Sequence, residues 1–181
     1  SSVFHIIDSD SMEQVAEYKG KIPIDLFAPL IYETSKEYGG CLTVVENNSI
    51  GMGVLDKLRE MRHPNLYYSR KVSHEYVDQY VAEHQATATP GFSTTVKTRP
   101  LVVAKLEELI RNKVLKVNSA RLVSELKTFV WNNGRASAMK GYNDDLAMAA
   151  AIACWVRETA IVVNTHEAEY KKALLGAMMT S

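Results

Sequence analysis

Apolar positions change period several times along the chain, and each change predicts an element. SSVFHIID alternates and ends in the turn cluster Asp8-Ser9-Asp10-Ser11, and an extended run from Gln14 to Lys19 closes at Gly20. Residues 1–20 therefore predict a β-hairpin. From Pro23 the apolar residues Leu26, Phe27, Leu30 and Ile31 keep helical spacing until Gly39-Gly40. CLTVVE, ending at Glu46, is a short and nearly continuous apolar run, as in a strand buried on both faces. Asn47-Asn48-Ser49 turns the chain into a second amphipathic helix carried by Ile50, Val54, Leu55, Leu58 and Met61, closed by His63-Pro64. Alternating strands and helices predict an α/β domain around a central sheet.

Residues 66–97 follow no single period. LYYS reads as a short strand, and SHEYVDQYVAEHQATATPGF fits either a helix or an excursion of paired strands. Beyond Pro100, Leu101, Ala104, Leu106, Leu109 and Ile110 predict a helix, and residues 114–117 a short strand. Ser119 is placed to cap a helix running through Leu122 and Leu126. FVWNNGRASAM reads as strand and turn, and Gly141-Tyr142-Asn143 as a break. Asn143 or Asp144 then caps a long alanine-rich helix to about Thr159, and a last helix is expected from His166 to Met179, within a helical tail over 163–181. There is no internal repeat.

Length and composition narrow the class. The 181 residues, 46% apolar and 23% charged, suit one globular domain with its own core. The most apolar run, Leu146 to Trp155, is about half the roughly 20 residues needed to span a bilayer. No secretory signal is expected. Cys41 and Cys154 have no neighbouring Cys or His, so a reduced cytosolic chain is expected and zinc is not. The net charge is zero but unevenly spread. Residues 1–56 carry three basic against nine acidic side chains, and residues 97–140 carry ten against three. A basic segment beside an acidic one suits a polyanion-facing surface, and also a solvated helix face.

Two acidic positions carry candidate chemistry. Glu46 ends an apolar strand, where α/β sheets place ligands, and Asp144-Asp145 opens an alanine-rich helix able to approach a sheet closely. A surface strand end and a helix N-cap are the plain alternatives. Together the acids form a pattern of hard oxygen donors for Mg²⁺ or Mn²⁺ brought from distant elements. Two-metal phosphodiester hydrolysis needs such acids and no Ser/His or Cys/His pair. The five histidines show no metal or catalytic spacing and read as surface or loop residues, with His74 and His84 the two placed to border a site. No phosphate-binding loop is present, so ATP hydrolysis by this chain is not expected. Gly51 and Gly53 read as close packing at a helix start, and Trp131 and Tyr142 as core or site wall.

Four segments carry a family resemblance: SSVFHIID, VVENNSIGMGVLDKL, GFSTTVKTRPLVVAKLEELI and NSARLVSELKTFVWNNGRASAMKGYNDDLAMAAAIA. In this order, from residue 1 to about 160, they resemble the C-terminal nuclease domain of tailed-phage terminase large subunits, nearest to those of T4-like phages. The resemblance implies an RNase H-like fold, a mixed central sheet flanked by helices. It implies a metal-dependent endonuclease, using Mg²⁺ or Mn²⁺, that cuts concatemeric double-stranded viral DNA in the host cytoplasm. Implied partners are a separate N-terminal ATPase motor domain, the portal and the small terminase subunit. Glu46 falls at the family's second acid, and Asp144-Asp145 at its final acidic motif. Asp-small-Leu spacing in the wider fold group favours Asp144 as ligand, with Asp145 auxiliary. Lys97, Arg99 and Lys105 are matched as a segment and are candidate DNA contacts.

The resemblance also places a first acid on a strand ahead of the one that begins here at Ser1. The single domain over 1–181 is thus expected to lack its first strand, and an acid set short by one is expected to bind metal weakly and cleave poorly. Two rival readings stand beside this one: a junction resolvase or integrase on the same fold, and a non-catalytic module docking to the portal or the motor.

Overall fold

The opening alternation folds into a hairpin in which β1 (Ser2–Asp8) pairs antiparallel with β2 (Glu13–Gly20), with a register shift between Ile6 and Ile7. Its turn is held by one side chain, since Asp8 Oδ1 accepts from the backbone N–H of Asp10 at 2.8 Å and of Ser11 at 2.9 Å. These two donors, Ser11 first, keep the Asp8 carboxyl below its ordinary range. The computed structural model describes residues 1–132, 135–161, 168–170 and 172–173. Most of the helix expected from His166 to Met179, and of the 163–181 tail, lies outside the described residues.

The predicted helices form in the predicted places: α1 (Ile24–Glu37), α2 (Ser49–Glu60), α3 (Thr98–Arg111), α4 (Ala120–Lys127) and α5 (Asp145–Val156). Gly39 and Gly40 end α1 with φ of 75° and 71°, and Gly40 N–H returns to Ser35 C=O at 2.8 Å. Only glycine enters that left-handed region without strain. Ser119 caps α4, its side chain accepting from Leu122 N–H at 2.9 Å. α5 stops at Val156 and passes into a π-turn, Arg157–Ile161, short of a regular helix to Thr159. No helix among the described residues is long and apolar enough to cross a membrane.

The extended segments are shorter than the sequence pattern suggests. Residues 41–46 join the fold through single parallel bridges, Thr43 to Leu66 and Glu46 to Phe92, with Thr43 N–H donating to Asn65 C=O at 2.8 Å and Phe92 N–H to Val45 C=O at 2.8 Å. The expected strand at 114–117 reduces to one bridge between Lys116 and Glu13. The ambiguous 66–97 stretch resolves as paired strands: β3 (Tyr68–Arg70) lies between β4 (Gln79–Val81) and β5 (Thr89–Pro90). FVWNNGRASAM becomes a second antiparallel pair, β6 (Phe129–Asn132) and β7 (Arg135–Ala138).

Side chains alternate between two apolar clusters and so define the layers. Val3, Ile7, Leu42, Val44 and Tyr67 face a cluster built on α3, α4 and α5. Phe4, Val45, Leu66 and Tyr68 face the other, built on α1 and α2. The extended segments therefore lie between two helical layers, which is a mixed α/β architecture. α5 has eight of its twelve residues buried, as a helix apolar on all sides must.

Two histidines inside this frame replace the surface positions expected for them. Gln14 Oε1 accepts from Asn118 and Ser119 N–H, so its NH₂ group faces His5 Nδ1 at 2.8 Å. His5 Nε2–H then donates to Leu146 C=O at 3.0 Å. His63, buried, accepts from Asn65 N–H at Nδ1, and its Nε2–H faces Ser35 Oγ at 2.9 Å and Thr43 Oγ1 at 3.1 Å. Burial lowers the pKa of both from the ordinary 6.5. The unfolded chain then takes up these protons more readily than the folded one. Their stabilising contribution is complete above pH 6.5 and is lost as pH falls from there through the lower folded values. Urea melts from pH 8 to pH 5 should show falling stability, with a shallower slope in the His5→Gln, His63→Gln double variant.

Candidate functional site

Glu46 closes the 41–46 segment and is followed at once by the start of α2. Asn48 is the joint between them: its Oδ1 accepts from Gly51 N–H at 2.7 Å, and its Nδ2 donates to Glu46 Oε2 at 3.1 Å. A Cβ on Gly51 would lie 1.7 Å from Glu46 C=O, so only glycine permits this strand-to-helix turn. Gly53 faces Ile24, where an added Cβ would stand 3.1 Å from its Cδ1. The close-packing reading of both glycines therefore holds.

From Glu46 a series of polar contacts leads to Asp144. Asn47 Nδ2 donates to Pro90 C=O at 3.3 Å and to Ser93 Oγ at 3.1 Å. Ser93 C=O accepts from Thr98 Oγ1 at 3.2 Å. Thr95 and Thr98 cap each other, with Thr95 N–H donating to Thr98 Oγ1 at 2.7 Å and Thr98 N–H to Thr95 Oγ1 at 3.1 Å. This arrangement fixes the first turn of α3, from which Arg99 extends. Arg99 Nε donates to Ala136 C=O of β7 at 2.8 Å, and its Nη2 pairs with Asp144 Oδ2.

Asp144 stands at the N-cap position of α5 but its carboxylate does not cap the helix. Glu125 of α4 does so instead. Its Oε2 accepts from Leu146 N–H at 2.8 Å and Ala147 N–H at 3.1 Å, while its Oε1 receives Lys19 Nζ at 2.5 Å. Glu125 is only 7% exposed, so the helix N-terminus and Lys19 are what make its burial tolerable. Asp144 is thereby free of the capping role expected of it and turns its carboxylate to Arg99. Asp145 points elsewhere, its Oδ2 receiving the Ser1 amino group at 3.1 Å.

No protein-family model matches the chain.

The remaining candidates fall into two groups. Lys97 is exposed at the start of α3, its Nζ 5.4 Å from the centre of the Tyr76 ring. Lys105 pairs with Glu108 at 2.8 Å and lies close enough to Cys154 to influence its thiol. That thiol, mainly through burial, is pushed up to about 12. Asp144 and Cys154 are ten residues apart on α5, or about 15 Å along its axis, so Lys105 stands apart from the Arg99 end. His74 and His84 are exposed on the 66–97 excursion. Trp131 and Tyr142, expected as core or site wall, are instead 56% and 61% exposed.

Ser35 and His63 form no nucleophilic pair. The Ser35 hydroxyl donates to Tyr32 C=O at 2.8 Å, and His63 offers it a donor rather than a base. Among the described residues no group of three or more His, Cys, Asp or Glu side chains converges as metal ligands would. Sequence reasoning missed Glu125, although it lies three residues after the buried Leu122, on the apolar stripe of α4. Buried acid and helix-start acid should separate in urea melts: Glu125→Ala is expected to lose about 3 kcal/mol or more, and Asp144→Asn less than about 1 kcal/mol.

Proposed function

We propose that this chain is a metal-dependent DNA endonuclease domain of the RNase H-like type, working in phage DNA packaging as the terminase resemblance implies. The observation that supports the reading is that two acids at a strand end and a helix start, neither of them capping a helix, are linked by a series of polar contacts. Glu46 ends the 41–46 segment, Asp144 precedes α5 without capping it, and the Asn47–Ser93–Thr98–Arg99 contacts run between them. A mixed α/β framework with two helical layers is compatible with the fold, and the ordered sequence resemblance supports it.

The donor chemistry fits the ion. Mg²⁺ and Mn²⁺ take hard oxygens, and one or two carboxylates completed by water and substrate phosphate are a usual complement. When bound, such an ion activates water and neutralises the leaving oxygen of a phosphodiester. Glu46 and Asp144 would hold it, with Asn48 orienting Glu46. Arg99 acts on the same acid: once Asp144 turns to a cation, its guanidinium is available to a backbone phosphate. Lys97 is the exposed cation beside it. Contacts of this kind recognise the DNA backbone and carry little sequence information. Double-stranded viral DNA is the substrate in this reading, with the ATPase motor, portal and small terminase subunit as partners in the host cytoplasm.

Nicking of supercoiled plasmid tests the proposal. Slow nicking that requires Mg²⁺ or Mn²⁺ is expected, falling in Glu46→Ala and Asp144→Ala by more than the roughly 10–100-fold that follows loss of an outer-shell group. Lys105→Ala should nick at the parental rate. Unchanged nicking in both acid variants, or no nicking with either ion, would contradict the reading.

A further inference from the structure

Arg99 holds two groups at once, and beside each stands an exposed aromatic ring. Its Nε donates to Ala136 C=O at 2.8 Å, and its Nη2 pairs with Asp144 Oδ2. Ala136 lies directly across the hairpin from Trp131. Tyr142 precedes Asp144 by two residues, set by a turn in which its N–H donates to Met139 C=O at 3.0 Å. Both rings are more than half exposed.

The strand register puts the indole next to Arg99. Met139 N–H donates to Thr128 C=O at 2.8 Å, one rung before the Phe129–Ala138 pair. Hydrogen-bonded and non-hydrogen-bonded pairs alternate along an antiparallel ladder, so Trp131–Ala136 is of the second kind. Ala136 C=O therefore points away from β6, where Arg99 takes it, and the Trp131 and Ala136 side chains stand close together on one face. Phe129, two residues back on that face, packs against the α3–α5 cluster, and Ala136 is buried, while the indole is open to solvent. The surroundings are cationic. From Leu126 to Asn143 the sequence holds three basic side chains and no acidic one. Lys127 and Lys140, both exposed, flank the Thr128–Met139 rung, and Lys97 is exposed two residues before Arg99.

Taking DNA as the polymer from the endonuclease reading above, we propose that Trp131 is a stacking platform for an unpaired base, with Tyr142 a second, so that the strand meeting Arg99 is held locally single-stranded. Stacking on a ring needs an uncovered base face. Inside a duplex both faces of each base are covered by neighbours, and only an unpaired stretch or a frayed end offers one. A ring beside a guanidinium suits one nucleotide, with its base on the indole and its phosphate toward Arg99. The lysines at the hairpin base and at Lys97 extend the cationic track along the backbone. An acid-free cationic rim favours such a polyanion over an apolar protein partner. The platform reads no sequence, since every base has a π-face; what it selects is the unpaired state.

Fluorescence titration in EDTA tests this without any cleavage. Trp131 and Trp155 are the two tryptophans, so a Trp155→Phe background leaves Trp131 as the reporter. Short oligo(dT) should quench it saturably. A duplex of equal length, its ends closed by non-nucleotide linkers, should quench far less, and inorganic polyphosphate should leave it nearly unmoved. Trp131→Ala should keep the parental melting temperature and bind labelled oligo(dT) about fivefold or more weakly, and Trp131→Phe should recover most of that loss. Absence of quenching by oligo(dT) would overturn the stacking role, as would equal quenching by the closed duplex or by polyphosphate, or an oligo(dT) affinity unchanged in Trp131→Ala. Plasmid nicking fails separately from these readings. Selective quenching in a chain that nicks with neither ion would uphold the platform and remove only the endonuclease reading.

Discussion

Glu125 is the contact on which the placement of the other parts rests. Its carboxylate is buried, takes the first free N–H groups of α5 and meets Lys19 of β2 with its other oxygen. One side chain thus ties together α4, the start of the most buried helix and the opening hairpin. A buried carboxylate in the apolar cluster would be prohibitive alone; here charge, helix dipole and donors offset that cost together. The His5–Leu146 bond reinforces the joint from β1, and Gln14 carries it on to Asn118 and Ser119. The polar core is therefore a continuous network at the N-terminal end of α5, and it leaves the Asp144 carboxylate to Arg99 rather than to the helix cap.

This division of labour among acids is what gives the site its character. Helix starts commonly use their own aspartate as a cap. Here Glu125, nineteen positions earlier, performs that task, and the helix-start aspartate Asp144 is held by Arg99 instead. Arg99 is itself anchored to β7 by Ala136 C=O, and the Thr95–Thr98 caps fix the turn it grows from. The acid can therefore exchange partners without disturbing the helix.

Much of the frame was legible from periodicity. The hairpin, the five helices, the Ser119 cap and the Gly39-Gly40 stop all follow from local rules that the packing does not override. What escaped depends on contacts distant in sequence. Glu125 looks like one more charge in a basic segment until Leu122 and the start of α5 surround it. His5 looks like a surface residue in an alternating strand until Gln14 and Leu146 claim its two nitrogens. The strands at 41–46 and 114–117 are apolar enough to read as full strands, yet each forms single bridges because pairing needs a neighbour as well as a pattern. Residues 66–97 lacked a period because their strands are two or three residues long. Of the candidate site, Glu46 and Asp144 were visible as positions. That Asp144 is spared from capping, and that Lys105 stands apart from Arg99, could be seen only in three dimensions.

The central claim is that Glu46 and Asp144, two acids that cap no helix, serve one cation. Titration of the isotope-labelled chain with substoichiometric Mn²⁺, read as paramagnetic broadening of amide signals, tests it most directly. The account predicts that signals of residues 46–48 and of residues 144–147 broaden together and first, and that both recover when Mg²⁺ is added in excess. Broadening centred on the Asp8–Asp10 turn, or of one acid's neighbours without the other's, would contradict it.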